Sequence, residues 1–153
     1  MTNISTKRVL LGGLLAGLVM NISEAALHAG VLGKDTETLY QMLSAPLPNP
    51  AQTIPLLVGM TFVLGLVAIW LYAAIYPRIE SRATRSLIVG VVVWLLAHCW
   101  SGVYLGAGYS GIFTTRLVWI PVVWGFFEAM LAVFAGAFVY KDVATPDARK
   151  TRP

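Results

Sequence analysis

Hydrophobic residues fall into four long runs, and short stretches that contain most of the charged residues separate them. Each run is close to the ~20 residues that cross the ~30 Å hydrocarbon core of a bilayer. They cover residues 9–31, 54–76, 87–106 and 117–140. This pattern predicts four transmembrane helices, and we expect residues 1–153 to form a single domain, an all-α integral membrane protein built as a four-helix bundle.

The composition agrees with that interpretation. Only 12% of the residues are charged and 58% are hydrophobic, whereas about a quarter of the residues in a soluble domain are charged. Lys7 and Arg8 precede the first run, as they would in a signal peptide. However, the run is longer than a typical signal-peptide core and no clean Ala-x-Ala-like cleavage site follows it, so we expect it to be retained as a helix.

The basic residues predict the orientation. Nine of them lie at the amino end, in the connection 77–86 or in the tail, and only Lys34 and Arg116 lie in the other two connections. The positive-inside rule then places both termini in the cytoplasm. The stretch VWGFFE at 123–128, followed by AGA at 135–137, resembles small bacterial membrane proteins. The resemblance implies the bacterial inner membrane as the location and implies no particular function.

The first outer connection, residues 32–53, is predicted to be a long loop. Asp35 is placed to cap a short helix over residues 36–43, which would rest on the membrane surface. Prolines at 46, 48 and 50 would then hold the chain extended towards the second helix. Such a segment is either a lid over the outer mouth of the bundle or a plain surface loop.

Five residues of the first run form one stripe along its helix, within an arc of about 80°. They are Gly13, Gly17, Asn21, Glu24 and His28. A charged side chain inside a membrane helix costs roughly 2.5–3.5 kcal/mol, so such residues usually face protein partners or a functional site. We expect the two glycines to form a packing face, Asn21 and Glu24 to extend it as a buried polar seam, and His28 to lie at the outer mouth.

The other helices offer partners for this seam. His98 and Ser101 lie on the third helix and Glu128 on the fourth. His98 and Glu128 are within about 3 Å of their helix midpoints, whereas Glu24 and His28 lie about 8 Å and about 14 Å towards the outside. The first and fourth helices are expected to touch. The polar seam is then either a functional site or a structural contact in which Glu128 and His98 hold two helices together.

Three chemistries fit these residues, and none strongly implies a cofactor. Glu24 and His28, at i and i+4, can point at one metal ion, to which Glu128 and His98 could add ligands from facing helices. The buried carboxyls and His98 can instead form a proton relay. A bis-histidine haem is disfavoured, because His28 and His98 differ by about 12 Å in depth.

Trp94 and Trp124 could shape an apolar pocket for a quinone, carotenoid or lipid, or could simply face lipid. Cys99 is the only cysteine, which excludes an intramolecular disulfide and a thiolate cluster.

No Walker loop, nucleophile elbow or His-Glu-x-x-His motif is present, so the chain is not expected to be a classical enzyme. We therefore favour a non-enzymatic accessory or binding subunit of a membrane assembly. Its expected partners are the lipid bilayer and either copies of itself in a homo-oligomer or other membrane subunits, with no nucleic acid. The alternatives are a proton-coupled transporter or carrier that uses Glu24, Glu128 and His98, and a redox protein that binds a metal, haem or quinone.

Overall fold

The structure, a computed structural model, describes residues 4–140, and every regular element in that range is helical. The basic residues of the tail lie outside the described range. Four helical segments are long and apolar enough to cross a membrane: Thr6–Met42, Pro50–Arg78, Arg82–Gly108 and Thr115–Val139. The prediction of four apolar helices, typical of a helical membrane protein, is confirmed.

Two of the four segments contain a π-helical turn. The first consists of α1 (Thr6–Leu27), a π turn (His28–Leu32) and α2 (Gly33–Met42). The third consists of α4 (Arg82–Trp94), a π turn (Leu95–Cys99) and α5 (Trp100–Gly108). The second is α3 (Pro50–Ile75) with a 3-10 turn (Tyr76–Arg78), and the fourth is α6 (Thr115–Val139).

The short helix expected over residues 36–43 is present as α2, but it continues the first helix, so the long first loop is not present as predicted. The backbone of Leu32 stays in the right-handed helical region, so the chain continues directly from the π turn into α2. No side chain caps α2, and Asp35 instead accepts a hydrogen bond from Arg116, 3.3 Å away, at the start of α6. The non-helical connection shrinks to residues 43–49. The first segment has 37 residues and is about 55 Å long, so it exceeds the ~30 Å hydrocarbon core.

Close glycine contacts hold the centre of the bundle together. A Cβ added at Gly65 of α3 would lie 2.5 Å from the carbonyl oxygen of Gly13, and one added at Gly12 would lie 2.7 Å from the carbonyl oxygen of Gly136 on α6. The backbones of α1, α3 and α6 therefore approach more closely than any side chain would allow. The predictions that Gly13 lies on a packing face and that the first and fourth helices touch are confirmed.

The two ends of the bundle differ. The end that holds Thr6 and Val139 is called the terminal end here, and the opposite end is called the loop end. At the terminal end α4 packs on α6, and the buried Arg85 of α4 donates hydrogen bonds to Tyr72 of α3 and to two carbonyl oxygens of the 79–80 connection.

Towards the loop end α3 separates from the bundle, because four successive residues, 56–59, are all exposed. Successive helical residues point about 100° apart, so no face of that stretch is covered by the described residues.

Candidate functional site

Three ionisable side chains from three different membrane segments meet in the interior of the bundle. Glu24 comes from α1, His98 from the π turn of the third segment and Glu128 from α6. One potential ligand atom from each lies within 4.8 Å of the other two. We call this group the carboxylate–imidazole cluster. The structure thus brings together the three residues that the sequence singled out as proton-relay candidates.

Glu128 is the most deeply buried residue of the cluster. Its side chain is 3% exposed, and its Oε1 atom lies 3.8 Å from Nε2 of His98. That separation is too long for a hydrogen bond. The other carboxyl oxygen, Oε2, has no hydrogen-bond partner within residues 4–140. A buried polar atom without a partner is costly, so the carboxyl is suited to receive a proton, a water molecule or a cation.

His98 is positioned by both its own segment and α6. It lies in the π turn Leu95–Cys99, and its side chain is 13% exposed. The imidazole lies directly against Gly125, where any Cβ would overlap the ring. The glycine therefore lets His98 reach the same level of the bundle as Glu128, only three residues further along α6.

Glu24 connects the cluster to the surface. Its side chain is 31% exposed, and its Oε2 atom lies 3.1 Å from Nε2 of His28, which is 62% exposed. His28 is thus the most exposed of these side chains and contacts the cluster through Glu24. Glu24 reaches His98 and Glu128 despite the estimated depth difference of several ångströms, which helix tilt and side-chain length can close.

Both histidines lie in π turns, a feature that the sequence analysis missed. His28 begins the first π turn and His98 is the fourth residue of the second. Single π turns within α-helices occur frequently at functional sites, because the extra residue redirects neighbouring side chains. No hydrophobic or polar pattern distinguishes these turns from ordinary helix.

Ser23 also lies beside the cluster, although the sequence analysis did not assign this polar residue of the first run to the seam. Its hydroxyl accepts a 2.8 Å hydrogen bond from the indole Nε1 of Trp124 and lies close to the Glu128 carboxyl. The signal was present in the sequence: Ser23 precedes Glu24, and Trp124 lies one helical turn before Glu128. Together they join α1 to α6 beside the cluster.

Two residues expected in the seam bond to their own helices. The Asn21 amide donates to the carbonyl oxygen of Gly17 at 2.8 Å. The Ser101 hydroxyl donates to the carbonyl oxygens of Ala97 and His98, and Ser101 is exposed. The structure therefore does not bring Ser101 into the buried seam. Its backbone bonds satisfy it without a partner on another helix.

The two tryptophans do not surround one pocket. Trp94 donates to the carbonyl oxygen of Val122 at 2.8 Å and packs edge-on against Phe126. Positions 122 and 126 lie on the opposite face of α6 from Trp124, because each is two residues away. Trp94 and Trp124 therefore lie on different sides of α6 and tie it to different helices.

The cluster is closed towards the terminal end. The layer on that side consists of side chains that are at most 1% exposed: Ala16, Met20, Ala129, Ala132 and Val133. All five are uncharged, and four of them are aliphatic. The most exposed groups in contact with the cluster are Glu24 and His28, which lie on the opposite side.

Comparison with protein-family models, with curated proteins and with solved structures gives no match to this chain. Its function therefore has to be inferred from the residues of the cluster. Two carboxylates and an imidazole can bind and release protons, and the same atoms are ligands for divalent cations.

Proposed function

We propose that this protein is a non-enzymatic binding component of the bacterial inner membrane whose carboxylate–imidazole cluster binds and exchanges protons. The observation that carries the proposal is the Glu128 carboxyl, 3% exposed and with one oxygen unpartnered among the described residues, facing His98 and Glu24.

Electrostatics supports a positive charge in the cluster. The carboxyl oxygens of Glu24 and Glu128 approach within 4.8 Å. Two negative charges at that distance repel by about 3 kcal/mol at an effective dielectric constant of ~20, and by more where water is excluded. A shared or bound proton removes this repulsion. Proton exchange at Glu128 is therefore coupled to the charge of Glu24 and, through it, to His28.

We take binding as the simpler assignment, because the layer on the terminal side of the cluster consists of buried, uncharged side chains. An alternating-access carrier would also be open to one side at a time, so the vesicle experiment below is what separates the two roles. The carrier remains the second candidate, because the same three residues would serve it.

The location and orientation are part of the proposal. Lys7 and Arg8, with Arg78 and Arg82, lie at the terminal end, and Lys34 and Arg116 lie at the loop end. This imbalance supports insertion with both termini in the cytoplasm and the cluster accessible from the outside. The separated stretch of α3 at 56–59 supports partner subunits, either copies of the chain or other membrane proteins, alongside lipid.

The experiment uses the full chain in sealed vesicles with a pH-sensitive dye inside, together with infrared spectra of the same sample. Reversible proton uptake appears as a carboxylic acid band that changes with external pH. We expect that band to disappear in Glu128→Gln and to persist in the control Glu37→Gln, which changes a carboxyl in the α2 extension. We expect no sustained change in internal pH.

Each outcome decides between the candidates. Sustained proton flux that stops in Glu128→Gln overturns the binding role in favour of the carrier. A band that is insensitive to pH, with Glu24→Gln and Glu128→Gln lowering only thermal stability, shows that the cluster is structural and rejects the proposal.

A further inference from the structure

We infer that the cluster is a binding site for a divalent first-row transition-metal ion, of which Zn²⁺ is the representative, with Glu24, His98 and Glu128 as ligands. The inference rests on the proposed function, since it assigns a second positively charged occupant to the same proton-exchanging groups. It also specifies a ligand class that proton exchange does not require.

The distances permit coordination with small side-chain movements. Three atoms that lie within 4.8 Å of one another all lie within about 2.8 Å of a common point, whereas Zn²⁺ binds carboxylate oxygen and imidazole nitrogen at ~2.0–2.2 Å. Each ligand atom therefore needs to move by less than about 1 Å, which rotation about the side-chain bonds of the two glutamates supplies.

The donor set selects the class of metal. One imidazole and two carboxylates form a mixed nitrogen and oxygen set without thiolate, which suits Zn²⁺ and its divalent neighbours better than Cu⁺. Alkaline-earth ions prefer an all-oxygen set with more ligands. Two carboxylates and one divalent ion are electrically neutral together, which lowers the cost of burying the charges.

The surroundings hold the ligands in place. Gly125 and the π turn fix the imidazole of His98, and the buried Glu128 has an oxygen with no other partner in the described chain. His28 contacts Glu24 at 3.1 Å. Hydrogen-bonded outer partners of this kind orient metal ligands. Three ligands from the chain also leave a coordination position for water.

His98 and Glu128, which the sequence indicated only as additional ligands, are the buried ligands of this site. The primary pair indicated by the sequence was Glu24 with His28 at i and i+4. That pair lies at the surface, since His28 is 62% exposed. Both candidate metal sites include Glu24. Substitutions of His98 or Glu128, compared with a substitution of His28, therefore show which of the two sites binds the metal.

The test titrates chelator-treated full-length protein in detergent with Co²⁺, whose visible absorption reports its ligands, and then displaces it with Zn²⁺. We expect one ion per chain, with protons released into a weakly buffered solution as the metal binds. Glu128→Gln and His98→Gln are expected to weaken binding by at least about tenfold, the scale on which even outer-shell changes act. The matched control Glu37→Gln is expected to bind as the unaltered chain does.

Three results would overturn the inference. One is the absence of a stoichiometric Co²⁺ spectrum while the pH-sensitive infrared band of Glu128 is retained, which leaves the proposed function standing without a metal. Another is binding that is lost in His28→Gln and kept in His98→Gln and Glu128→Gln, which moves the metal to the surface pair. The third is binding unaffected by every one of these variants, which marks an adventitious ion. A folded protein with neither the band nor the metal would reject both proposals.

Discussion

The imidazole of His98 lies directly against the backbone of Gly125, and the contact is so close that no larger residue fits at position 125 without moving the ring. Gly125 is thus not simply a packing glycine of α6. It provides the space that lets a histidine from the third segment reach the carboxyl of Glu128, one helical turn further along α6.

Gly125→Ala is therefore expected to displace His98 and to weaken the cluster while leaving the bundle folded. The new methyl group would occupy the position of the ring, and a side chain moves more readily than two packed helices. We expect Co²⁺ affinity to fall by at least about tenfold, as for loss of a ligand or of its orienting group. The control is Gly108→Ala, where a Cβ meets nothing within 4 Å. Equal affinity in the two variants would contradict this role.

A second prediction concerns the contact between α1 and α3. A Cβ at Gly65 would lie 2.5 Å from backbone atoms of both Gly13 and Gly17, which cannot rotate away. Gly65→Ala is expected to destabilise the protein by about 1–3 kcal/mol, the usual cost of overpacking. Gly59→Ala on the same helix meets nothing within 4 Å and is expected to be neutral or slightly stabilising. Thermal unfolding of both variants in one detergent measures the difference, and equal melting temperatures would refute the contact.

The four helices and the cluster could be predicted for different physical reasons. Run length alone identifies a membrane helix, because the bilayer sets how many apolar residues are needed. Glu24, His98 and Glu128 were identifiable because ionisable groups inside such runs are expensive and therefore need partners. The assignment of Ser101 to the seam was wrong for the opposite reason, since a serine hydroxyl can form its hydrogen bond with a carbonyl oxygen in the preceding turn of its own helix.

The first connection could not be predicted from local signals. The hydrophobic run ends at residue 31, so a connection was predicted from residue 32 onwards. The helix instead continues through Gly33, since a glycine inside a helix costs only about 1 kcal/mol. The Asp35–Arg116 pair, whose members are 81 positions apart in the sequence, supports the extension and is invisible to any local pattern. The π turns at His28 and His98 were equally hidden, because a single extra residue in a helical turn leaves no side-chain signature.

A third prediction tests the tie between α1 and α6 beside the cluster. Trp124→Phe removes the indole donor to Ser23 and keeps an aromatic ring in place. We expect a loss of about 0.6–1.5 kcal/mol, the range for one hydrogen bond between membrane helices or in a protein interior. Ser23→Ala should cost a similar amount, and the double variant should cost less than the sum of the two. Additive losses in this double-mutant cycle would show that the bond contributes nothing.

The last prediction concerns Arg85, whose guanidinium bonds Tyr72 at 3.1 Å and the carbonyl oxygen of Glu80 at 3.0 Å. Its carbon centre also lies 4.4 Å from the ring centre of Tyr76. A lysine keeps the charge but has neither the planar fork nor the same stacking, so Arg85→Lys is expected to cost about 2–4 kcal/mol. Arg78→Lys is the matched control, because Arg78 is exposed in the neighbouring 3-10 turn. Since Arg85 is at the terminal end, distant from the cluster along the bundle, stability should fall while Co²⁺ affinity in the folded protein is unchanged. A fall in affinity without a fall in stability would mean that the two ends of the bundle are coupled.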